Sequence, residues 1–225
     1  PHTTSAMPDF RAFWDDGLAE LANVEPRYSL VLVTNLCTAT VNLYEVRMHS
    51  FGNVSVGGHY AVPKKAGRYP VIVRFLGYGS GPQIPERADD GIIRYVASTR
   101  GQGVMKKENV YGDWMAYRLD SLEEYYFRGA FLDTVRAIDF VCSRPEVDRR
   151  RIAVEGGSQG GALSYVCAAL DRRVALCFPT IPGFCDIPNF IALTDWPGSI
   201  YRNYLVTNDK GVKQDSLYAM LTYYD

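Results

Sequence analysis

Residues 151–170 read RIAVEGGSQGGALSYVCAAL, and this stretch has three parts of different character. Residues 151–155 form a short apolar run typical of a buried strand, and residues 156–161 form a glycine cluster that contains one serine. Residues 162–170 are apolar and rich in alanine, which predicts a packed helix. Strand, tight turn and helix in this order are the context in which Gly-x-Ser-x-Gly forms a nucleophile elbow.

Ser158 is therefore the predicted nucleophile, within Gly156-Gly157-Ser158-Gln159-Gly160. A serine in such a turn occupies a strained backbone region, and its neighbours must be small because strand and helix cross closely. The first N–H groups of the following helix lack intrahelical partners and point toward incoming negative charge. The alternative is an ordinary glycine-rich turn between a strand and a helix.

Composition excludes some classes of function. The 225 residues are 47% hydrophobic and 22% charged, with a formal net charge of −1, as in an ordinary globular protein. This charge argues against electrostatic binding of nucleic acid or anionic membrane, and no apolar run is long enough for a membrane span. The five cysteines are predicted to be reduced core residues, although a single disulfide is the alternative, so the compartment (cytoplasmic, periplasmic or secreted) stays open.

The first third of the chain has the pattern of an antiparallel meander. Apolar residues at helical spacing predict an amphipathic helix over residues 8–24. Residues 28–34 and 41–49 are typical of strands, and residues 51–63 are interpreted as a further strand pair. A basic turn at residues 64–68 closes this part of the chain.

Strands and helices alternate in the rest of the chain. Strands are predicted at 70–76, 92–97, 151–155 and 174–178, and helices at 125–142, 159–170, 186–194 and 214–224. An antiparallel start followed by βα alternation predicts an α/β fold of the α/β hydrolase type: a mixed, mostly parallel sheet with helices on both faces. Because no repeat or linker interrupts the pattern, residues 1–225 are predicted to form a single domain.

Serine acyl transfer also needs donors for the oxyanion. The glycine-rich loop 77–81 follows the strand at 70–76, where α/β hydrolases place one donor, so the Tyr78 N–H is the first candidate. The second is the N–H of Gln159, and replacing its side chain is expected to cost less than losing a donor. An ordinary turn is the alternative for the loop, and the sequence predicts no metal ion and no cofactor.

Several motifs support a family resemblance. They are Asp9-Phe-Arg-Ala-Phe-Trp14, Leu76-Gly-Tyr78, Ser98-Thr-Arg-Gly-Gln-Gly103, Arg144-Pro-Glu-Val-Asp148, the glycine cluster around Ser158, and the ending at 217–225. With them the chain resembles the acetyl xylan esterase/cephalosporin C deacetylase family of carbohydrate esterases over nearly its whole length. The resemblance implies removal of acetyl groups from small acetylated sugars such as xylo-oligosaccharides, and from cephalosporin C, through an acetyl-serine intermediate. It also implies a homo-oligomer, commonly a hexamer. Arg100 is predicted to brace its loop instead of contacting substrate.

The predicted triad lacks its acid and base. In this fold both follow the nucleophile, yet no histidine follows Ser158, and the three in the chain are His2, His49 and His59. His2 is assigned to a loose terminus, and His49 and His59 to surface or packing positions. Among the carboxylates after the serine, those that lie upstream of the family's acid-bearing strand include Asp186, Asp195, Asp209, Asp215 and Asp225. We therefore expect the C-terminal strands to be missing from this sequence, and the strand at 174–178 to be an open edge.

Two other functions remain open at this point. One is an α/β hydrolase with another substrate class, a peptide or a lactone. The other is a catalytically impaired module that binds sugar through its aromatic side chains.

Overall fold

The fold is taken from a computed structural model, which describes residues 7–86 and 88–225. His2 lies outside the described residues. The strands are β1 (Ser29–Leu32), β2 (Val41–Ser50), β3 (Val54–Pro63), β4 (Tyr69–Phe75), β5 (Ile93–Ser98), β6 (Val147–Gly157) and β7 (Leu176–Thr180). The α-helices are α1 (Phe10–Ala22), α2 (Tyr126–Ser143), α3 (Gln159–Leu170), α4 (Ile187–Leu193), α5 (Gly198–Thr207) and α6 (Gln214–Leu221). Short 3-10 turns occupy Thr34–Leu36, Phe51–Asn53 and Gly103–Glu108.

The described strands form one mixed sheet in the order β1-β2-β3-β5-β4-β6-β7. The pairs β1–β2, β2–β3 and β3–β5 are antiparallel, whereas β5–β4, β4–β6 and β6–β7 are parallel. An antiparallel start followed by parallel strands and crossover helices confirms the predicted α/β hydrolase architecture. Because β4, β6 and β7 are parallel, their carboxyl ends lie side by side, and we call this side the carboxyl end of the sheet.

The core lies between the parallel strands and two helices. Val71, Val73 and Phe75 alternate along β4 and are fully buried, together with Val154 of β6. Helices α2 and α3 pack over this face and against each other. Burial of a large aliphatic or aromatic side chain stabilises the fold by about 1.5–3 kcal/mol. This layer therefore holds the parallel strands, and with them the carboxyl end of the sheet, in place.

The opposite face of the sheet is exposed around β7. This strand is the last in the sheet, and its side chains Leu176 and Phe178 are 57% and 56% exposed. Their neighbour Cys177, on the α3 side, is less exposed. In the described part of the chain the predicted open edge is therefore present, at β7.

Several element boundaries differ from the predictions; strand β6, for example, spans Val147–Gly157 instead of residues 151–155. Residues 51–63 are a 3-10 turn followed by the single strand β3, because all ten residues of β3 pair with β2. Strand β7 begins at Leu176, since the Val174 N–H still donates to the Asp171 carbonyl in a turn. Helix α5 was not predicted, and its buried residues are Gly198 and Tyr201.

Cysteine and membrane predictions are also answered by the structure. All five cysteines are free, as predicted, but only Cys142 and Cys167 are buried in the core, whereas Cys37 and Cys177 are half-buried and Cys185 is exposed. Within residues 7–86 and 88–225, no helix has the length and apolar character needed to cross a membrane.

Candidate active site

Ser158 occupies the turn between β6 and α3. Its backbone angles are φ 54° and ψ −120°, a region that costs a non-glycine residue on the order of 1–3 kcal/mol. The main chain is fixed there, because the Ser158 N–H donates to the Thr180 carbonyl and its carbonyl accepts from the N–H groups of Gly161 and Gly183. Among the described residues, the Ser158 hydroxyl has no hydrogen-bond partner, and the residue is exposed. The elbow thus presents a free hydroxyl at the carboxyl end of the sheet.

Two glycines allow the strand and the helix to cross closely. A Cβ atom at Gly156 would overlap the Gly160 carbonyl and lie 2.8 Å from the Phe75 oxygen. A Cβ at Gly160 would overlap the Phe75 carbonyl oxygen and lie 2.9 Å from its carbon. The sequence requirement for small residues beside Ser158 therefore has a specific cause, the backbone of β4.

We expect Gly160→Ala to lower the free energy of unfolding by about 1–3 kcal/mol, because the added methyl group forces the backbones of α3 and β4 apart. The better helix propensity of alanine, about 1 kcal/mol, offsets part of this loss. Urea unfolding measures the difference. Gly157→Ala is the matched control, since its Cβ would lie 3.9 Å from the nearest atom, Thr180 O. Equal stabilities for the two variants would contradict the close crossing.

The predicted oxyanion loop lies next to the elbow. Phe75 at the end of β4 pairs with Gly156 of β6, so Tyr78 and Ser158 both lie just beyond the carboxyl ends of neighbouring strands. A Cβ at Gly77 would lie 3.5 Å from the Gly157 carbonyl oxygen. The loop itself turns through Gly79, whose φ of 71° suits glycine.

The two predicted donors are free to bind an oxyanion. In residues 7–86 and 88–225, no hydrogen-bond acceptor is found for the backbone N–H of Tyr78 or of Gln159. The Gln159 N–H is the first of helix α3, where unsatisfied N–H groups favour a negative charge. The fold therefore brings the predicted site residues Ser158, Tyr78 and Gln159 to the carboxyl end of the sheet.

Three aromatic side chains, Tyr78, Trp114 and Trp196, pack together at the carboxyl end of the sheet, and we call them the aromatic wall. The Tyr78 ring packs 4.6 Å from the Trp114 ring and 4.9 Å from that of Trp196, between centroids. Its hydroxyl donates to Asp113 Oδ1 at 3.0 Å. Burial and this carboxylate raise the pKa of Tyr78 to about 12, so the phenol stays neutral at physiological pH. Trp196 is 53% exposed and offers an apolar surface to a ligand.

The Gln159 side chain has a role that sequence reasoning missed. It is 2% exposed, accepts a hydrogen bond from Trp114 Nε1 at 3.1 Å, and donates one to Gln102 Oε1 at 3.0 Å. The expectation that its replacement costs less than the loss of a donor stays a prediction, and it took no account of these two hydrogen bonds. The partner residue Gln102 belongs to the Arg-Gly-Gln-Gly motif, which was the available signal, but nothing in the sequence paired it with Gln159.

Arg100 has the contacts of a structural brace. Its side chain is 7% exposed and binds Asp133 with Nε at 2.9 Å and Nη2 at 2.8 Å. Nη2 also donates to the Phe51 carbonyl at 3.0 Å, and the backbone N–H of Arg100 donates to Asp133 as well. These contacts tie the loop after β5 to α2 and to the turn before β3.

The described histidines lie away from Ser158. His49 Nδ1 is 2.7 Å from Asn53 Oδ1, and His59 Nδ1 is 2.8 Å from the Gln83 carbonyl oxygen. His59 is on β3, which is separated from β6 by β5 and β4, or about 14 Å at ordinary strand spacing. Neither histidine therefore stands where a base for Ser158 belongs.

The carboxylates that follow Ser158 have other surroundings. Asp225 accepts hydrogen bonds from the N–H groups of Asp186 and Ile187 at the start of α4, and Asp186 accepts one from Asn189. These two carboxylates and Asp195, Asp209 and Asp215 are all exposed, whereas Asp171 is buried and accepts hydrogen bonds from Arg173. Among the described residues, no group of three or more histidine, cysteine, aspartate or glutamate side chains is arranged to hold a metal ion.

Comparison with known proteins gives consistent results. A family model described as acetyl xylan esterase (AXE1) matches residues 2–225. Acetyl esterase Axe7A of Xylanibacter ruminicola is 31% identical over 206 residues, which are 85% of this chain and 47% of that protein. The chain thus spans about half the length of this curated relative.

Solved structures of similar proteins superpose closely. For an acetyl xylan esterase from Paenibacillus sp. R4, the TM-score is 0.90 at 30% identity, covering 100% of this chain and 76% of that one. For acetyl xylan esterase 1 from Thermoanaerobacterium sp. JW/SL YS485, the TM-score is 0.85 at 26% identity, covering 99% of this chain and 74% of that one.

Proposed function

The chain belongs to the acetyl xylan esterase family, and from this premise we propose that the complete protein is a serine esterase that removes acetyl groups from acetylated xylan-type sugars. The observation that carries the proposal is the elbow itself. Ser158 is held at φ 54° with a free, exposed hydroxyl, and within the described residues the backbone N–H groups of Gln159, at the start of α3, and of Tyr78, in the loop after β4, have no acceptor.

The proposed chemistry is acyl transfer in two steps. Ser158 Oγ attacks the acetyl carbonyl carbon while its proton passes to a histidine, and the oxyanion binds the N–H groups of Tyr78 and Gln159. The C–O bond to the sugar then breaks, the histidine returns the proton to the sugar oxygen, and an acetyl-serine remains. Water, deprotonated by the same histidine, attacks the carbonyl carbon of this ester. The bond between Ser158 Oγ and the acetyl carbon then breaks, the histidine returns the proton to Ser158 Oγ, and acetate is released.

We place the histidine and its carboxylate partner outside the 225 residues. This proposal is supported by the contacts of His49 and His59, which are with Asn53 and the Gln83 carbonyl and not with Ser158, and by the α/β hydrolase order, in which both groups follow the nucleophile. Hydrolysis of cephalosporin C esters and assembly as a homo-oligomer, commonly a hexamer, are further proposals that the family resemblance supports.

The aromatic wall is suited to a sugar ring. The Tyr78 and Trp196 rings pack edge to face, and the half-exposed Trp196 ring offers apolar surface of the kind that binds the C–H faces of sugars. The same feature favours a second candidate, a sugar-binding module without efficient catalysis. A peptide or lactone substrate has no comparable support in the described residues.

Acetate release distinguishes these functions. We expect the complete protein to release acetate from acetylated xylo-oligosaccharides and to leave peptide substrates intact. Binding of the acetylated sugar without acetate release would indicate the binding module. Cleavage of peptides without acetate release would indicate another hydrolase.

A further inference from the structure

A continuous set of buried hydrogen bonds runs behind the elbow. Trp114 Nε1 donates to Gln159 Oε1 at 3.1 Å, and Gln159 Nε2 donates to Gln102 Oε1 at 3.0 Å. Gln102 Nε2 donates to the Tyr126 hydroxyl at 2.8 Å, which donates to the Arg100 carbonyl at 2.7 Å. We call these four side chains, Trp114, Gln159, Gln102 and Tyr126, the amide relay.

The direction of every bond in the amide relay is fixed by its ends. An indole N–H is a donor and has no acceptor, so the Gln159 oxygen must face Trp114 and its NH₂ must face Gln102. A backbone carbonyl accepts and has no donor, so the Tyr126 hydroxyl must donate to Arg100 and accept from Gln102. Both carboxamides therefore have a single orientation each, and neither can flip without leaving buried polar atoms unpaired.

The amide relay also connects the two halves of the predicted oxyanion hole. Gln159, whose backbone N–H is one donor, is bound through its side chain to Trp114. The Trp114 ring in turn packs against Tyr78, whose backbone N–H is the other donor, and against Tyr126 at 5.9 Å. Trp114 is 6% exposed and Gln102 is fully buried, so water does not substitute for these contacts.

We propose that Gln102 and Trp114 are positioning residues for the oxyanion hole, which act through the Gln159 carboxamide and the Tyr78 ring. The proposal rests on the proposed function, since the hole has a role in ester hydrolysis. We expect substrate binding not to need these two side chains, because Trp114 is 6% exposed and Gln102 is fully buried. Their effect is on how closely the two N–H groups converge on the developing oxyanion.

Displacement of the donors reduces the rate more than the affinity. A misplacement of about 1 Å costs on the order of 100-fold in rate, and removal of a donor costs about 100- to 1,000-fold in kcat. We expect Gln102→Leu and Trp114→Phe each to lower kcat about 10- to 100-fold in the complete protein, with KM within about twofold. Gln102→Leu keeps a similar volume, and Trp114→Phe keeps an aromatic ring beside Tyr78.

The double variant tests whether both residues act through Gln159. If they do, Gln102→Leu combined with Trp114→Phe lowers kcat by little more than either change alone. The reason is that each single substitution already frees the Gln159 carboxamide from its fixed orientation. Independent structural effects would multiply instead. Multiplied effects, or a rise in KM with kcat unchanged, would overturn the proposal.

Tyr60→Phe is the matched control for the loss of a buried hydrogen bond. The Tyr60 hydroxyl donates to Glu146 Oε1 at 3.0 Å, near the opposite end of the sheet. Tyr60→Phe is expected to reduce the stability of the protein while leaving kcat within about twofold. Should the Gln102 or Trp114 variants fail to fold, Tyr126→Phe serves in their place, with a smaller fall in kcat because Gln102 Nε2 keeps Thr99 Oγ1 at 3.3 Å.

The choice of substrates separates this proposal from the proposed function. 4-Nitrophenyl acetate requires the nucleophile and the oxyanion hole but no sugar recognition, so the kcat ratios hold even if acetylated sugars are not cleaved. If the protein hydrolyses neither ester, the rate at which a fluorophosphonate labels Ser158 is compared instead, because its P=O oxygen needs the same donors. Labelling of the variants at the unaltered rate would overturn the positioning role.

Discussion

Ser158→Ala is expected to lower kcat for acetate release by roughly 10⁴- to 10⁶-fold in the complete protein, the range found when a serine hydrolase loses its nucleophile. The physical reason is that no acetyl-serine can form, while the oxyanion donors and the aromatic wall still bind substrate. KM is therefore expected to change much less than kcat. Steady-state kinetics with an acetylated xylo-oligosaccharide measures both.

Ser164→Ala is the control for this substitution. Ser164 lies on α3, the helix that follows Ser158, is fully buried, and donates its hydroxyl hydrogen bond to the Gly160 carbonyl at 2.8 Å. Its loss is expected to cost about 1 kcal/mol of stability without a large change in kcat. If Ser158→Ala kept more than about a hundredth of the original kcat, Ser158 would not be the nucleophile.

Asp133→Ala is expected to lower the free energy of unfolding by about 3–5 kcal/mol, the usual cost of leaving one partner of a buried ion pair alone. The Arg100 guanidinium would stay buried with the Phe51 carbonyl as its remaining hydrogen-bond acceptor. Because Arg100 O also ends the amide relay, we expect kcat to fall in parallel. Urea unfolding gives the stability change.

An exposed ion pair provides the comparison. Asp15 receives a hydrogen bond from Arg11 on the surface of α1, so Asp15→Ala is expected to change stability by less than about 1 kcal/mol. Replacing both partners of the buried pair, Arg100→Met with Asp133→Leu, is expected to recover part of the loss. Equal costs at Asp133 and Asp15 would show that the buried pair has no bracing role.

Local patterns predicted the elbow well. The strand, glycine cluster and helix around Ser158 are consecutive in sequence, so residue spacing and glycine placement were enough, and α3 begins and ends where predicted. The same holds for the loop carrying Tyr78, which follows a continuous apolar strand. In each case the determining contacts lie within a few residues of one another.

Contacts between distant residues could not be predicted in this way. Gln159 and Gln102 are 57 positions apart, and Trp114 lies between the predicted strand at 92–97 and the predicted helix at 125–142, outside every predicted element. The continuity of β3 is set by pairing with β2 and β5, not by its own residues, which include two adjacent glycines. Such features depend on which segments the fold places side by side.

The proposed acetyl-serine intermediate is tested most directly by mass spectrometry of the complete protein, quenched with acid during turnover of an acetylated xylo-oligosaccharide. We predict that one acetyl group is found on the peptide containing Ser158, and that it disappears when substrate is exhausted. An acetyl group on another residue, or rapid acetate release with Ser158 unmodified at every time point, would contradict the assignment.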